Sequence, residues 1–191
     1  MPREIEIKLR IASAPAMREA LEHDGYTVHH AREKEVNLVF DSPAVRLIEH
    51  GQLLRLRRIG ARTILTYKGP AENTKHKSRE EIELALDDGH DLETILDRLG
   101  FSPIFRYEKF RAEYKRPGEE GIVTVDETPI GDFIELEGPP AWIDETAHQL
   151  GFRDSDYITL SYGALYQRHR ETSPGAPRDM VFLPPSIHPI E

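Results

Sequence analysis

The chain has 191 residues, enough for one domain with a sizeable core, of which 38% are hydrophobic and 31% charged. Its net charge of −9 excludes a global electrostatic pull toward nucleic acid, so an anionic ligand would need a local basic cluster. Cysteine is absent, which excludes disulfides, thiolate metal sites and cysteine nucleophiles, and no apolar run approaches the roughly 20 residues that span a bilayer.

In chain order, residues 3–11 (REIEIKLRI) alternate charged and apolar side chains and predict a strand. Residues 13–25 predict a helix, with Ser13 as its cap, Pro15 in its first turn and Gly25 at its end. Residues 26–41 read as one long strand or two short ones, and 42–51 as a short helical turn. Residues 52–69 predict a hairpin turning near Gly60. A polar loop (71–78) leads to a strand at 79–87 and an amphipathic helix at 91–100. Strands follow at 102–115, 122–129 and 131–138, then a helix at 140–152 ended by Gly151 and a closing helical segment at 158–171. The stretch 172–191 is rich in Pro, Ser and Gly and reads as a Pro-rich C-terminal tail, flexible or strapped, beyond a domain at 1–171. Many strands joined by short turns point to an α+β domain, an antiparallel sheet with helices outside it.

The strands share an anomaly. Like charges recur two residues apart: Glu4/Glu6, Arg55/Arg57, Glu81/Glu83, Lys109/Arg111 and Glu135/Glu137. Side chains two apart on a strand point the same way, within about 7 Å, and repel unless something bridges them. An ordinary half-solvated sheet would mix uncharged polar residues into such faces. A divalent cation bridges acids and a polyphosphate bridges bases. Both needs are met if the sheet curls into a barrel whose charged faces line a hydrated tunnel and whose apolar faces meet the outer helices. The tunnel would have an acidic wall (Glu4, Glu6, Asp126, Glu135, Glu137) and a basic wall (Lys8, Arg55, Arg57, Lys68, Lys109, Arg111). Carboxylates without His or Cys suit Mg²⁺ or Mn²⁺, and Arg forks match phosphate oxygens.

At these residues the chain resembles the CYTH superfamily, the triphosphate tunnel metalloenzymes. EIEIK (4–8) matches the family's Glu-x-Glu-x-Lys signature, followed in order by LRLR (54–57), YKG (67–69), REEIE (79–83), EKFR (108–111), VDETPIGDFIELE (125–137) and SYGALY (161–166). The resemblance implies an eight-stranded antiparallel β-barrel with helices packed outside. It implies metal binding by Glu4, Glu6, Glu135 and Glu137, helped by Asp126, with Glu81 or Glu83 placed to reach a second metal. It implies triphosphate binding by Lys8, Arg55, Arg57, Lys68 and Arg111, with Arg79 lining the tunnel. Lys109 takes the position of a lysine proposed to help activate water, and Lys8 is its candidate catalytic companion. A lysine base needs a lowered pKa, which a crowded cationic wall would supply.

The family holds triphosphatases and class IV adenylyl cyclases, and the constellation serves either. Water attacking the γ-phosphorus gives hydrolysis; a ribose 3′-hydroxyl attacking the α-phosphorus gives cyclisation. Triphosphate hydrolysis is the leading expectation, with Mg²⁺ or Mn²⁺ as cofactor. Cyclisation of ATP is the alternative, and a non-catalytic polyphosphate- or nucleotide-binding module a second one. The small-molecule triphosphate is the expected partner, with no nucleic acid and no membrane, and a homodimer is compatible. The chain opens directly in a charged strand without a basic-then-apolar leader, so a cytoplasmic location is expected. The nine His show no metal spacing, and the adjacent His29 and His30 are expected on opposite strand faces, at the surface. Trp142 reads as packing. Lys34, Asn37 and Asp41 are undecided between site and scaffold, and Ser161 and Tyr162 between closing the tunnel mouth and helix capping.

Overall fold

The computed structural model describes residues 3–73, 75–87 and 89–183. Alternation produces long strands, and their length lets the sheet close on itself. The strands are β1 (Arg3–Ile11), β2 (Thr27–Asp41), β3 (Leu53–Ile59), β4 (Arg62–Lys68), β5 (Glu72–Asn73), β6 (Lys77–Leu86), β7 (Ser102–Lys115), β8 (Ile122–Thr128) and β9 (Gly131–Glu137). Neighbours run antiparallel in the order β1-β9-β8-β7-β2-β3-β4-β6, and β6 pairs back onto β1 to close an eight-stranded barrel. The two-residue β5 is appended to β6, inside the stretch expected to be loop. Gly60, at φ +56°, lets β3 reverse directly into β4.

Closure leaves a few backbone groups to satisfy at strand edges. Ile158 exchanges two hydrogen bonds with Lys8 where β1 runs past β6. Along β7, Met180 accepts from the Glu108 amide and donates to the Arg106 carbonyl, so the described part of the C-terminal stretch straps an edge that β8 does not reach. Residues 42–51 form turns rather than a helix, gathered by Asp41, whose carboxylate accepts from the amides of Ser42, Leu47 and Ile48. Asp41 is therefore scaffold.

The apolar faces of β1, β7, β8 and β9 (Ile7, Leu9, Ala112, Val123, Val125, Ile134, Leu136) pack under α1 (Ala14–His23) and α3 (Pro140–Gln149), through Leu21, Ile143 and Ala147. Ser13 caps α1, accepting from the Ala16 amide. A second layer under α2 (His90–Arg98) joins Phe40, Leu56 and Leu96. Trp142 lies over Gly121, where an added Cβ would meet its ring at 2.2 Å; it is a packing residue.

Two features depart from the expected scheme. The outer face of β6 is uncovered, with Ile82 51% and Leu84 57% exposed. The lumen is not charged throughout: Val39, Leu53, Phe105, Tyr107 and Phe133 point inward and meet Tyr162 and Tyr166 of α4 (Tyr162–Thr172), forming an apolar plug at one end of the barrel. Ser161 caps α4 by accepting from the Ala164 amide, while Tyr162 enters the barrel.

Candidate functional site

Register places the ionic side chains. Pairing of Glu6 with Glu137 and of Lys8 with Glu135 brings β1 and β9 together. Glu4 faces Arg79 and Glu6 faces Lys77 on β6, and Lys68 faces Glu81. Arg57 pairs with Asn37, Lys109 with Glu35 and Arg111 with Asp126. Because side chains directly opposite one another share a face, these pairs all enter the lumen. All but Glu35, Asn37 and Asp126 line a cavity of about 650 Å³, whose charged lining includes Glu4, Glu6, Lys8, Arg55, Arg57, Lys68, Arg79, Glu81, Glu83, Lys109, Arg111, Glu135 and Glu137. Sequence reasoning named all of these.

The charges do not segregate into two walls; they interleave. Lys68 Nζ lies 2.7 Å from both Glu4 oxygens and 3.0 Å from Glu81. Lys77 donates to Glu6 at 2.6 Å and Arg79 to Glu4 at 3.2 Å. Lys8 sits between Glu6 at 3.3 Å and Glu135 at 3.1 Å. Arg55 donates to Thr66 at 3.0 Å and to the Tyr107 hydroxyl at 3.3 Å, with Glu83 3.5 Å away. Three of the like-charged pairs are thus bridged by an opposite charge from another strand: Glu4/Glu6 by Arg79, Glu81/Glu83 by Arg55 and Lys109/Arg111 by Asp126. Burial of so many ions is tolerable because most are paired; among the described residues Glu137 makes no ion pair.

Asp126 stands apart from the other expected metal ligands. It is fully buried behind the cavity wall, accepting from Arg111 at 2.7 and 2.6 Å, Lys109 at 3.0 Å and the Tyr162 hydroxyl at 2.6 Å. Arg111 also reaches Glu135. Asp126 therefore positions two bases of the bore and ties them to the plug helix.

Electrostatics divide the acids. Burial opposes ionisation of Glu6, but Lys8 and Lys77 outweigh it and hold the carboxyl far below its usual range. Glu35 is likewise held at about 2, burial being overcome by Lys109 and Arg57. Glu137 goes the other way: enclosure by protein first, then Glu4, Glu6 and Glu81, push its carboxyl up to about 7, although its side chain is open to solvent at the mouth. Glu81 is also raised, by burial and by Glu4. Lys8 is buried, yet Glu135 and Glu6 raise its pKa, so it is a fixed cation rather than a base. Lys77 is the lysine pushed down, by burial and by Lys8 and Arg79.

Glu4, Glu6, Glu81 and Glu137 lie on the adjacent strands β6, β1 and β9 and supply only oxygen donors, the kind a hard divalent ion takes, although no three of them bring ligand oxygens within 4.8 Å of one another. Burial first and neighbouring carboxylates second raise Glu137 and Glu81, and a divalent ion bound there would offset the second of these. Buried polar atoms without a protein partner include Asn37 Nδ2, Arg55 Nε and Thr124 Oγ1 on lumen-facing positions, which suits a polar ligand.

Several lining residues escaped sequence reasoning. Lys77 fell in the stretch taken as loop, although it continues the Arg79–Glu81–Glu83 alternation. Glu35 enters from β2, whose polar residues on both faces hide the inward set; Asn37, undecided from sequence, shares its inward face, opposite Arg57. Tyr107 and Phe105 share a face with Lys109 and were grouped with no function. Lys34 pairs outside the bore with Glu108 at 2.8 Å. His29 and His30 do not point to opposite faces, because a bulge intervenes between Val28 and His30.

A family profile for the CYTH domain matches residues 2–150. A protein of Methanocaldococcus jannaschii, provisionally named as an adenylate cyclase, is 31% identical over 134 residues, covering 70% of this chain and 75% of that one. Among solved structures, PH1819 from Pyrococcus horikoshii superposes with a TM-score of 0.70 at 26% identity, covering 87% of this chain and 99% of that one. A Hippeastrum protein named for adenylyl cyclase, in which a dominant triphosphatase activity is described, superposes at 0.67 with 22% identity, covering 88% and 96%. With the closed bore, the ordered motifs and the match over most of its length, the chain belongs to the CYTH domain family.

Proposed function

We propose that this protein is a divalent-metal-dependent enzyme that takes a triphosphate-bearing small molecule into its bore and hydrolyses the terminal phosphate. One observation carries the reading: oxygen-only carboxylates (Glu4, Glu6, Glu81, Glu137) border a run of Lys and Arg side chains inside one cavity of the barrel. Phosphate binding alone would need the bases and not the acids.

Glu4, Glu6, Glu81 and Glu137 would hold Mg²⁺ or Mn²⁺, with Glu135 and Glu83 beside them. Bound there, the ion polarises phosphoryl oxygens and lowers the pKa of an attendant water. Lys8, Arg55, Arg57, Lys68, Arg79 and Arg111 take the phosphate oxygens and neutralise charge as the phosphoryl group transfers. Lys109, fixed by Asp126, orients the attacking water. The oxygen of water bonds to the γ-phosphorus, the bond to the β,γ-bridging oxygen breaks, and the diphosphate keeps that oxygen.

The second reading, cyclisation of ATP, draws on the apolar end of the same cavity, where Val39, Leu53, Phe105 and Tyr166 offer room for an organic group. A substrate panel separates the two. Tripolyphosphate, thiamine triphosphate and ATP, each with Mg²⁺ and with Mn²⁺, should yield orthophosphate. Cyclic AMP with pyrophosphate would replace hydrolysis by cyclisation, and binding without any product would reduce the protein to a binding module.

A further inference from the structure

We infer that His29, His30 and Glu113 form a site for a borderline transition-metal ion such as Zn²⁺ or Cu²⁺, separate from the carboxylates of the bore. The site is created by a fault in strand register. In a regular strand, adjacent side chains project to opposite faces. Here the pairing of β2 with β7 shifts between Val28 and His30, so His29 is an extra residue and His30 falls directly opposite Glu113. The two imidazoles come together edge to face, with ring centroids 4.5 Å apart. One potential ligand atom from each of His29, His30 and Glu113 lies within 4.8 Å of the others, a gathering of three His, Asp or Glu ligands found nowhere else among the described residues.

The spacing is close to what a metal requires. Ligand bonds of about 2.0–2.1 Å in a tetrahedral field put neighbouring ligand atoms roughly 3.3 Å apart. His30 Nε2 is already 3.7 Å from a Glu113 oxygen. The remaining closure is of the order of an ångström, estimated from the same bond lengths. Both histidines are exposed, so their rings can turn without disturbing the core.

Donor chemistry makes the site selective. Two imidazoles with one carboxylate suit Zn²⁺, Cu²⁺ or Ni²⁺, whereas the all-oxygen set in the bore suits Mg²⁺ or Mn²⁺. Three protein ligands leave one tetrahedral position open. Glu113 also lines the main cavity, and His30 and Glu113 line a smaller one of about 220 Å³ with Glu35, Arg57 and Arg111. The ion would therefore sit at the rim of the bore.

The test uses the full chain with one equivalent of Cu²⁺ and millimolar Mg²⁺ to occupy oxygen sites. The electron paramagnetic resonance spectrum should show hyperfine coupling to two imidazole nitrogens. The coupling should fall to one nitrogen in His30→Ala and vanish in the His29→Ala/His30→Ala variant, with circular dichroism unchanged. Zn²⁺ titrated calorimetrically should bind one to one, at least tenfold more weakly to Glu113→Gln. An oxygen-only copper spectrum in the wild type, or a two-nitrogen spectrum that persists in the double variant, would overturn the assignment. Neither result depends on which triphosphate reaction the bore performs.

Discussion

Asp126→Asn removes one buried negative charge and leaves the side chain's shape. The wild-type carboxylate accepts from Arg111 at 2.7 and 2.6 Å, from Lys109 at 3.0 Å and from Tyr162 at 2.6 Å, with no solvent exposure. The amide has one acceptor oxygen, and its NH₂ group must face donors. Breaking a buried ion pair from one side costs about 3–5 kcal/mol, because the remaining charge is left uncompensated. Arg111 keeps Glu135 and Lys109 keeps Glu35 at 3.6 Å, so the lower end, about 3 kcal/mol, applies. Urea unfolding should show a lower midpoint at an unchanged slope, and the melting temperature should fall by about 6–12 °C for a chain of this size. Tyr162→Phe deletes one hydrogen bond to a charged group and should cost about 1.5–3 kcal/mol. The double variant should cost less than the sum, since both changes act on one network. Tripolyphosphate should narrow the gap between Asp126→Asn and wild type, because a bound anion supplies the missing negative charge. A loss below about 1 kcal/mol would refute the reasoning: Glu35 and Glu135 would then suffice to hold both cations.

Four further outcomes follow from the same geometry. Arg57→Ala should weaken tripolyphosphate binding by about 1–3 kcal/mol in calorimetry, and unchanged affinity would remove Arg57 from the ligand set. Glu35 is held at about 2 against an ordinary 4.5, so the unfolded state takes up its proton first as pH falls; the stability it contributes, about 3 kcal/mol, is complete above pH 4.5 and lost on approaching 2. Glu35→Gln should flatten that acid limb in urea titrations across pH 3–7. Glu137, raised to about 7, must shed its proton to hold a metal, so Mg²⁺ affinity should rise from pH 5.5 to 7.5 and level off above, with the slope gone in Glu137→Gln. Metal and tripolyphosphate should each bind more tightly in the other's presence, by the same factor in either order of titration; independent binding would show that the interleaved charges are not coupled.

How much of this was legible in sequence depends on what each feature requires. The inward set of β1 was fully readable, because a period of two fixes which face Glu4, Glu6 and Lys8 share. The barrel followed from the repetition of that pattern. The partner of each charge was not readable, since the opposition of Glu6 to Lys77 and to Glu137 comes from register between strands far apart in sequence. Phase errors hid other residues. Two register shifts in the first half of β2 break the alternation there, which is why the histidines were assigned to opposite faces and Glu35 passed unnoticed. Binary patterning also cannot see an aromatic residue in a charged row: Phe133 shares its face with Glu135 and Glu137, and Tyr107 with Lys109, yet these rings build the plug.

The larger difference concerns what holds the charges in place. Repulsion between like neighbours argued for ligands as the bridging agents, an acid wall awaiting a metal and a basic wall awaiting phosphates. Lys68 between Glu4 and Glu81, Lys8 between Glu6 and Glu135, and Asp126 between Lys109 and Arg111 already supply those bridges. A metal alone would enter a region that its lysines already neutralise, and a triphosphate alone would press against the carboxylates paired to its binding cations. On the proposed function, entering together would let them exchange one set of ion pairs for another: carboxylates would turn from lysine to metal, and the released lysines to phosphate. The dense pairing that lets the barrel fold around so many charges would thus be the same feature that favours a metal–triphosphate complex over either component.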